Sequence, residues 1–257
     1  SKDGYTLKSS NHFVQNLYES ELPEDKFSTL EKEVALSGFD GVLYTFIPKL
    51  SRLTDSLQPV FQFSESYADL ISHYQQHDFS RHDFLIRLVE EGNLDIIDWW
   101  EEAEKIDLTA GELQVNKIAK EQFGITKGIV FPTLSNDMGY AGVSIISFKE
   151  DFTDKKIDTN ILNHLKTCSR MYHDHAMIHQ DARYEFILPI LETLTPKKKL
   201  LIKYLISGKP MKNIADEANI TTRYADKLLS ELRRQFGNIS KNELIYLLGL
   251  LNISEYL

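Results

Sequence analysis

Lys127-Gly128-Ile129-Val130-Phe131-Pro132-Thr133-Leu134 and Tyr140-Ala141-Gly142-Val143-Ser144-Ile145-Ile146-Ser147-Phe148 flank the turn-rich Ser135-Asn136-Asp137-Met138-Gly139. Two strand-forming runs joined by a short polar connection predict an antiparallel hairpin. Upstream, residues 39–47 and 58–64 read as two more strands. Helical spacing occupies 11–18, 28–36, 67–74, 81–90 and 110–123, the last closed by Gly124. Ser28 and Glu31 have the spacing of a capping box. Residues 94–99 form a short apolar run, and 158–192 one long helix or two in tandem. Helices, two strands, helices and then a strand pair lack the alternation of a doubly wound sheet. The order predicts an α+β class, an N-terminal α/β/α sandwich around an antiparallel sheet.

Charge separates the two ends of the chain. From Leu194 to Leu257 there are eleven Lys and Arg against six Asp and Glu, a net +5 within a chain of −9, so the preceding residues carry −14. A basic end on an acidic body points to a nucleic-acid-binding appendage, although a solvated lysine-rich helix surface gives the same count. No apolar run approaches the roughly 18 residues of a membrane span. The first residues carry no apolar signal region, so a cytoplasmic protein with no membrane partner is expected. Cys168 is the single cysteine, which excludes an internal disulfide or a thiolate cage and suits a reducing compartment.

The basic end reads as four helices. Pro196 opens the first, over 196–206, and Lys212 begins the second, with Ile214 and Ala215 facing inward. Residues 219–221 form a turn, and Thr221 caps a third helix over 222–236. Ala225, Leu228, Leu229 and Leu232 line one side of that helix; Thr222, Arg223, Asp226, Lys227 and Arg233 lie on the others. Such a helix fits a major groove. Gly237 ends it, and 242–251 form a fourth helix whose apolar face offers a dimer seam. Leu194-Thr195-Pro196, Gly208-Lys209, Ile214-Ala215, Ile220-Thr221 and Gln235-Phe236-Gly237 resemble, in order and spacing, the helix-turn-helix domain of LuxR-type transcription factors. The resemblance implies dimeric promoter binding. Lys198 stands where that family usually has an acid, and Ala225 where it usually has valine.

The segment 72–84 is similar to the signature of the acyl-homoserine-lactone-binding domain of the same family: Tyr74, an aromatic at Phe79 and an aspartate at Asp83. Ala119, Gln122-Phe123-Gly124, Gly128 and Pro132 continue the likeness. The resemblance implies that Tyr74 donates to an acyl carbonyl, that Asp83 accepts from an amide, and that Trp99 or Trp100 and Gly128 stand beside the ligand. Three positions depart from it. Leu70 replaces the tryptophan that donates to the lactone, Phe84 the proline after the aspartate, and Ile145 the serine or threonine of the last strand. Loss of the head-group donor with the amide clamp kept implies a divergent "solo" quorum-sensing receptor, for an acyl-homoserine-lactone-like ligand with a much weakened response or for a non-lactone ligand with a carbonyl or amide core. A satisfied Tyr74–Asp83 core pair is the plainer alternative.

These readings divide the chain into a ligand-binding domain over 1–175, a linker over 176–193 and a DNA-binding domain over 194–257. His73, His77 and His82 with Asp78 and Asp83, and His175 and His179 with Asp174, have metal-like spacing, but exposed helix faces give such pairs commonly. No metal or cofactor is expected beyond the signal molecule. No phosphate loop or serine elbow is present, so no enzyme activity is expected. The expected function is a dimeric activator-type transcription regulator controlled by a small signal. The alternative is a ligand-independent or non-DNA-binding dimerisation partner that antagonises a LuxR-type regulator.

Overall fold

The computed structural model describes residues 2–257, with side chains from Ser10 onward. It divides into two compact units, one of Ser1–Phe46, Val60–Asn136 and Tyr140–Arg183, the other of Ile47–Pro59, Asp137–Gly139 and Tyr184–Leu257.

The first unit opens with α1 (Lys2–Glu19) and α2 (Pro23–Leu36). Pro23, with its fixed φ and missing N–H, starts α2 ahead of the expected cap. Ser28 therefore lies inside the helix, its Oγ donating to the Glu24 carbonyl at 2.9 Å, and the expected capping box does not form. β1 (Gly41–Pro48), the short α3 (Lys49–Arg52) and β2 (Val60–Phe63) follow. Next come α4 (Ala68–Gln76), α5 (Phe84–Glu90), β3 (Ile97–Asp98), α6 (Trp99–Lys105) and α7 (Ala110–Lys117). The hairpin is β4 (Lys127–Ser135) and β5 (Gly139–Ser147), and α8 (Thr159–Ile178) and α9 (Gln180–Glu192) show that the helical stretch at 158–192 is two helices.

The five strands run in the order β2-β1-β5-β4-β3. The pairs β1–β2, β3–β4 and β4–β5 are antiparallel, with Gly128 opposite Ile146 and Val130 opposite Ser144. Alternation along β1 sends successive side chains to opposite faces. Leu43 joins a cluster with Tyr67, Ile71, Phe84 and Trp99, from α4 to α6 and the turn before them. Tyr44 turns the other way and its hydroxyl lies 2.6 Å from His173 Nδ1 on α8. Helices thus cover both faces of a mostly antiparallel sheet, as the α+β expectation required.

In the second unit α10 (Pro196–Ile206), α11 (Ile214–Ala218), α12 (Thr222–Gln235) and α13 (Lys241–Leu250) follow α9. Thr195 caps α10 by accepting from the Lys198 amide, and Thr221 caps α12 by accepting from the Tyr224 amide. Ile214 is buried, but Ala215, expected inward, is exposed. Leu244, Leu247 and Leu248 of α13 are buried where the helix meets α10 and α12, so the apolar face proposed as a seam is occupied within the unit. Pro189, within the expected linker over 176–193, lies inside α9, next to buried Phe186, Ile187 and Ile190.

Candidate functional site

Tyr74 and Asp83 are in direct contact, the arrangement that the satisfied core pair of the plainer alternative requires. Tyr74, on α4, is buried, and its Oη donates to Asp83 Oδ2 at 2.7 Å. Asp83 Oδ1 accepts from the Leu85 amide at 2.9 Å, so the same carboxylate caps α5. Asp83 is partly buried as a whole residue, yet its surroundings desolvate the carboxylate. Burial raises its pKa, against the Tyr74 hydroxyl and the Leu85 and Ile86 amides, which favour the anion. An enclosed carboxylate with three donors still has accepting capacity left.

Two further polar atoms are buried in the neighbouring apolar cluster. Among the described residues, Tyr67 Oη and Trp99 Nε1 are buried donors without a hydrogen-bond partner. Both residues belong to the cluster with Leu43, Ile71, Phe84, Ile97, Val130 and Ile146. The charge of Asp83 adds to burial in raising the Tyr67 pKa, which places that hydroxyl in the field of the carboxylate. An unpaired buried donor costs roughly 1–3 kcal/mol. The Tyr67 hydroxyl and the Trp99 indole N–H thus carry that cost in the ligand-free protein.

Trp99 and Gly128, both expected beside a ligand, lie against each other. A Cβ built on Gly128 would lie 2.2 Å from Trp99 Cδ2, so only glycine lets the indole rest against β4. The neighbouring Trp100 is settled differently, its Nε1 donating to the Ile125 carbonyl at 3.2 Å. Phe84 is buried in the cluster, and Leu70 packs at its edge. Ile145 is not brought there: β5 turns it to the opposite face, and Ile146 is the residue that joins Trp99 and Phe84. Tyr67 was missed in the sequence. It lies one helical turn before Leu70, at the end of the turn Glu65–Tyr67, and a tyrosine at that spacing is the signal that could have found it.

At the other end of the chain, Thr222, Arg223, Asp226 and Lys227 are exposed along α12, and Lys212 is exposed ahead of α11. Thr221 is spent on the cap, and Arg233 Nε donates to the Ile239 carbonyl at 2.7 Å, so both stabilise the helix ends. Lys198 Nζ lies 3.8 Å from Glu231 and 3.4 Å from Gln235 Oε1, which gives the unusual base an acidic neighbour on α12. Among the described residues no helix is long and apolar enough to cross a membrane.

Residues 23–176 match the model of the autoinducer binding domain, more than half of the chain. No curated protein matches this chain by sequence. Among solved structures, Escherichia coli SdiA is similar at a TM-score of 0.60 and 12% identity, over 96% of this chain and 98% of that one. SdiA in complex with octanoyl-rac-glycerol gives a TM-score of 0.58 and 13% identity over 95% of each chain. At such identities the likeness is one of fold. With the match over 23–176, it leads to one conclusion: the chain belongs to the autoinducer-binding domain family.

Proposed function

We propose that this protein is a signal-responsive transcription regulator. On this reading residues 1–175 bind a small molecule, 176–193 connect, and 194–257 bind promoter DNA through a helix-turn-helix in a homodimer. The observation that carries the reading is the desolvated Tyr74–Asp83 pair, with the unpartnered Tyr67 hydroxyl in the field of its carboxylate and the unpartnered Trp99 Nε1 in the same cluster as Tyr67. Asp83 would accept from a ligand N–H or O–H, and Tyr67 and Trp99 would donate to its oxygens. Leu70, Phe84 and Ile146 would cover its apolar part.

That donor set departs from a lactone receptor. With Leu70 in place of the head-group donor, the polar contacts gather at the Asp83 end, where a hydroxyl- or amide-bearing acyl compound fits. The SdiA complex holds an octanoyl glycerol. Such a molecule offers hydroxyl donors and ester acceptors without a lactone ring, and is a suitable probe for this chain.

The exposed row Thr222, Arg223 and Lys227 on α12, with Lys212 nearby, supports DNA contact by the basic unit. Fluorescence anisotropy of labelled duplex DNA with the purified full chain tests it. Binding should weaken steeply as salt rises, because phosphate contacts release counterions. Absence of salt-sensitive binding at low ionic strength would favour the antagonist reading, in which the chain only pairs with a regulator.

A further inference from the structure

Glu33 on α2 and His164 and Cys168 on α8 meet where the two helices pack. His164 and Cys168 are four residues apart, so they share a face of α8 one turn from each other. Their donor atoms and a Glu33 carboxylate oxygen all lie within 4.8 Å of one another. Cys168 is fully buried, while the His164 and Glu33 side chains keep 12% and 16% exposure, leaving a solvent-facing edge for entry.

The spacing can be compared with a coordination polyhedron. In a tetrahedral zinc site the metal–sulfur and metal–nitrogen distances set a sulfur–nitrogen edge of about 3.5 Å. Cys168 Sγ is 3.6 Å from His164 Nε2. Glu33 Oε1 contacts the same Nε2 directly as a hydrogen-bond partner. To share an ion with it, the carboxylate must draw back by about 1 Å, a movement within reach of a partly exposed glutamate. Ser10 Oγ lies 3.4 Å from His164 Nδ1 and can accept its N–H, which orients Nε2 as the ligating atom.

We propose that Glu33, His164 and Cys168 form a three-ligand site for a divalent cation of the zinc class, joining α2 to α8. A thiolate, an imidazole and a carboxylate together select such an ion over magnesium or calcium, which take oxygen ligands. On binding, the thiol proton passes to solvent and the His164 proton moves from Nε2 to Nδ1. The metal–sulfur, metal–nitrogen and metal–oxygen bonds take the places they leave, and water fills the fourth position. In the metal-free protein burial, aided by the Glu33 charge, keeps the thiol protonated, so affinity should rise with pH.

Cobalt(II) added to the reduced full chain tests this site. The expected result is a near-ultraviolet thiolate-to-cobalt charge-transfer band that saturates at one ion per chain and is displaced by zinc. Because Cys168 is the only cysteine, the band can have no other thiolate source. Cys168→Ser should abolish the band, and Glu33→Gln should weaken zinc binding by roughly tenfold or more. Zinc should also raise the Tm of the wild type and leave that of Cys168→Ser unchanged. A wild-type chain that gives no saturable thiolate band, whatever the fate of the variants, would overturn the proposal and leave a His164–Glu33 pair beside an inert thiol.

Discussion

Asp83 accepts from Tyr74 and from the Leu85 amide while burial pushes its carboxyl toward the protonated form. A carboxyl with a raised folded-state pKa contributes stability that is full below its unfolded pKa and is lost as pH rises through the folded one. Asp83→Asn keeps a capping side chain and removes that charge. Its stability relative to wild type should therefore rise as pH climbs from about 4 toward neutrality, read from urea midpoints. A difference that stays constant with pH contradicts the desolvated-carboxylate account. Tyr67→Phe gives a second separation. Removing an unpaired buried hydroxyl should leave the Tm of the ligand-free protein unchanged or higher, and weaken ligand about tenfold, the worth of one hydrogen bond. A lower Tm would mean that the hydroxyl is satisfied in the protein itself. At this scale the sequence was informative where a family signature singled out residues, as with Tyr74 and Asp83, which the structure pairs directly. It was silent where only the fold decides direction, as with Ile145 and Ile146, whose exchange of faces depends on the register of β5.

Among the elements, α8 concentrates buried imidazoles. His175 Nε2 receives the Lys26 ammonium at 2.8 Å, and the same ammonium donates to the Leu17 and Ser20 carbonyls at the end of α1. Burial, with Lys26 and His179 nearby, lowers the His175 pKa to about 4, and burial lowers that of His173 to about 4. Both are then neutral when folded and charge more readily when unfolded. Their contribution is full above about 6.5 and is lost as pH falls toward 4. Urea stability should drop between pH 6.5 and 4 by up to about 1.4 kcal/mol per pH unit for each histidine; a flat profile over that range would refute the assignment. β4 offers a steric test. Gly128→Ala would press a methyl into the Trp99 ring, and should cost about 1–3 kcal/mol and displace the indole. Helix starts were legible where a cap or proline carries them, at Pro196 and Thr221. They failed at Ser28, because a helix begun at Pro23 runs past a serine whose hydroxyl can bond within the helix.

Across the whole molecule, the charge split and the antiparallel hairpin were readable because each follows from local composition. Burial of the α13 apolar face was not, since a helix stripe shows that a face is covered without saying by what. If the basic unit reads DNA, Arg223→Ala with Lys227→Ala should reduce the slope of log affinity against log salt by about 2; an unchanged slope would remove α12 from the interface. Signal control requires that the acidic unit hold a small molecule at Asp83. Both tryptophans of the chain, Trp99 and Trp100, belong to or pack against the same cluster, so intrinsic fluorescence reports on that region alone. The direct measurement is a titration of tryptophan emission with octanoyl-rac-glycerol and with an octanoyl homoserine lactone, on wild type, Asp83→Asn and Tyr67→Phe. A ligand held at Asp83 should give a saturable change with the glycerol ester, a weaker response to the lactone, and about tenfold loss of affinity in each variant. No saturable change with either compound, or equal binding by all three proteins, would contradict it.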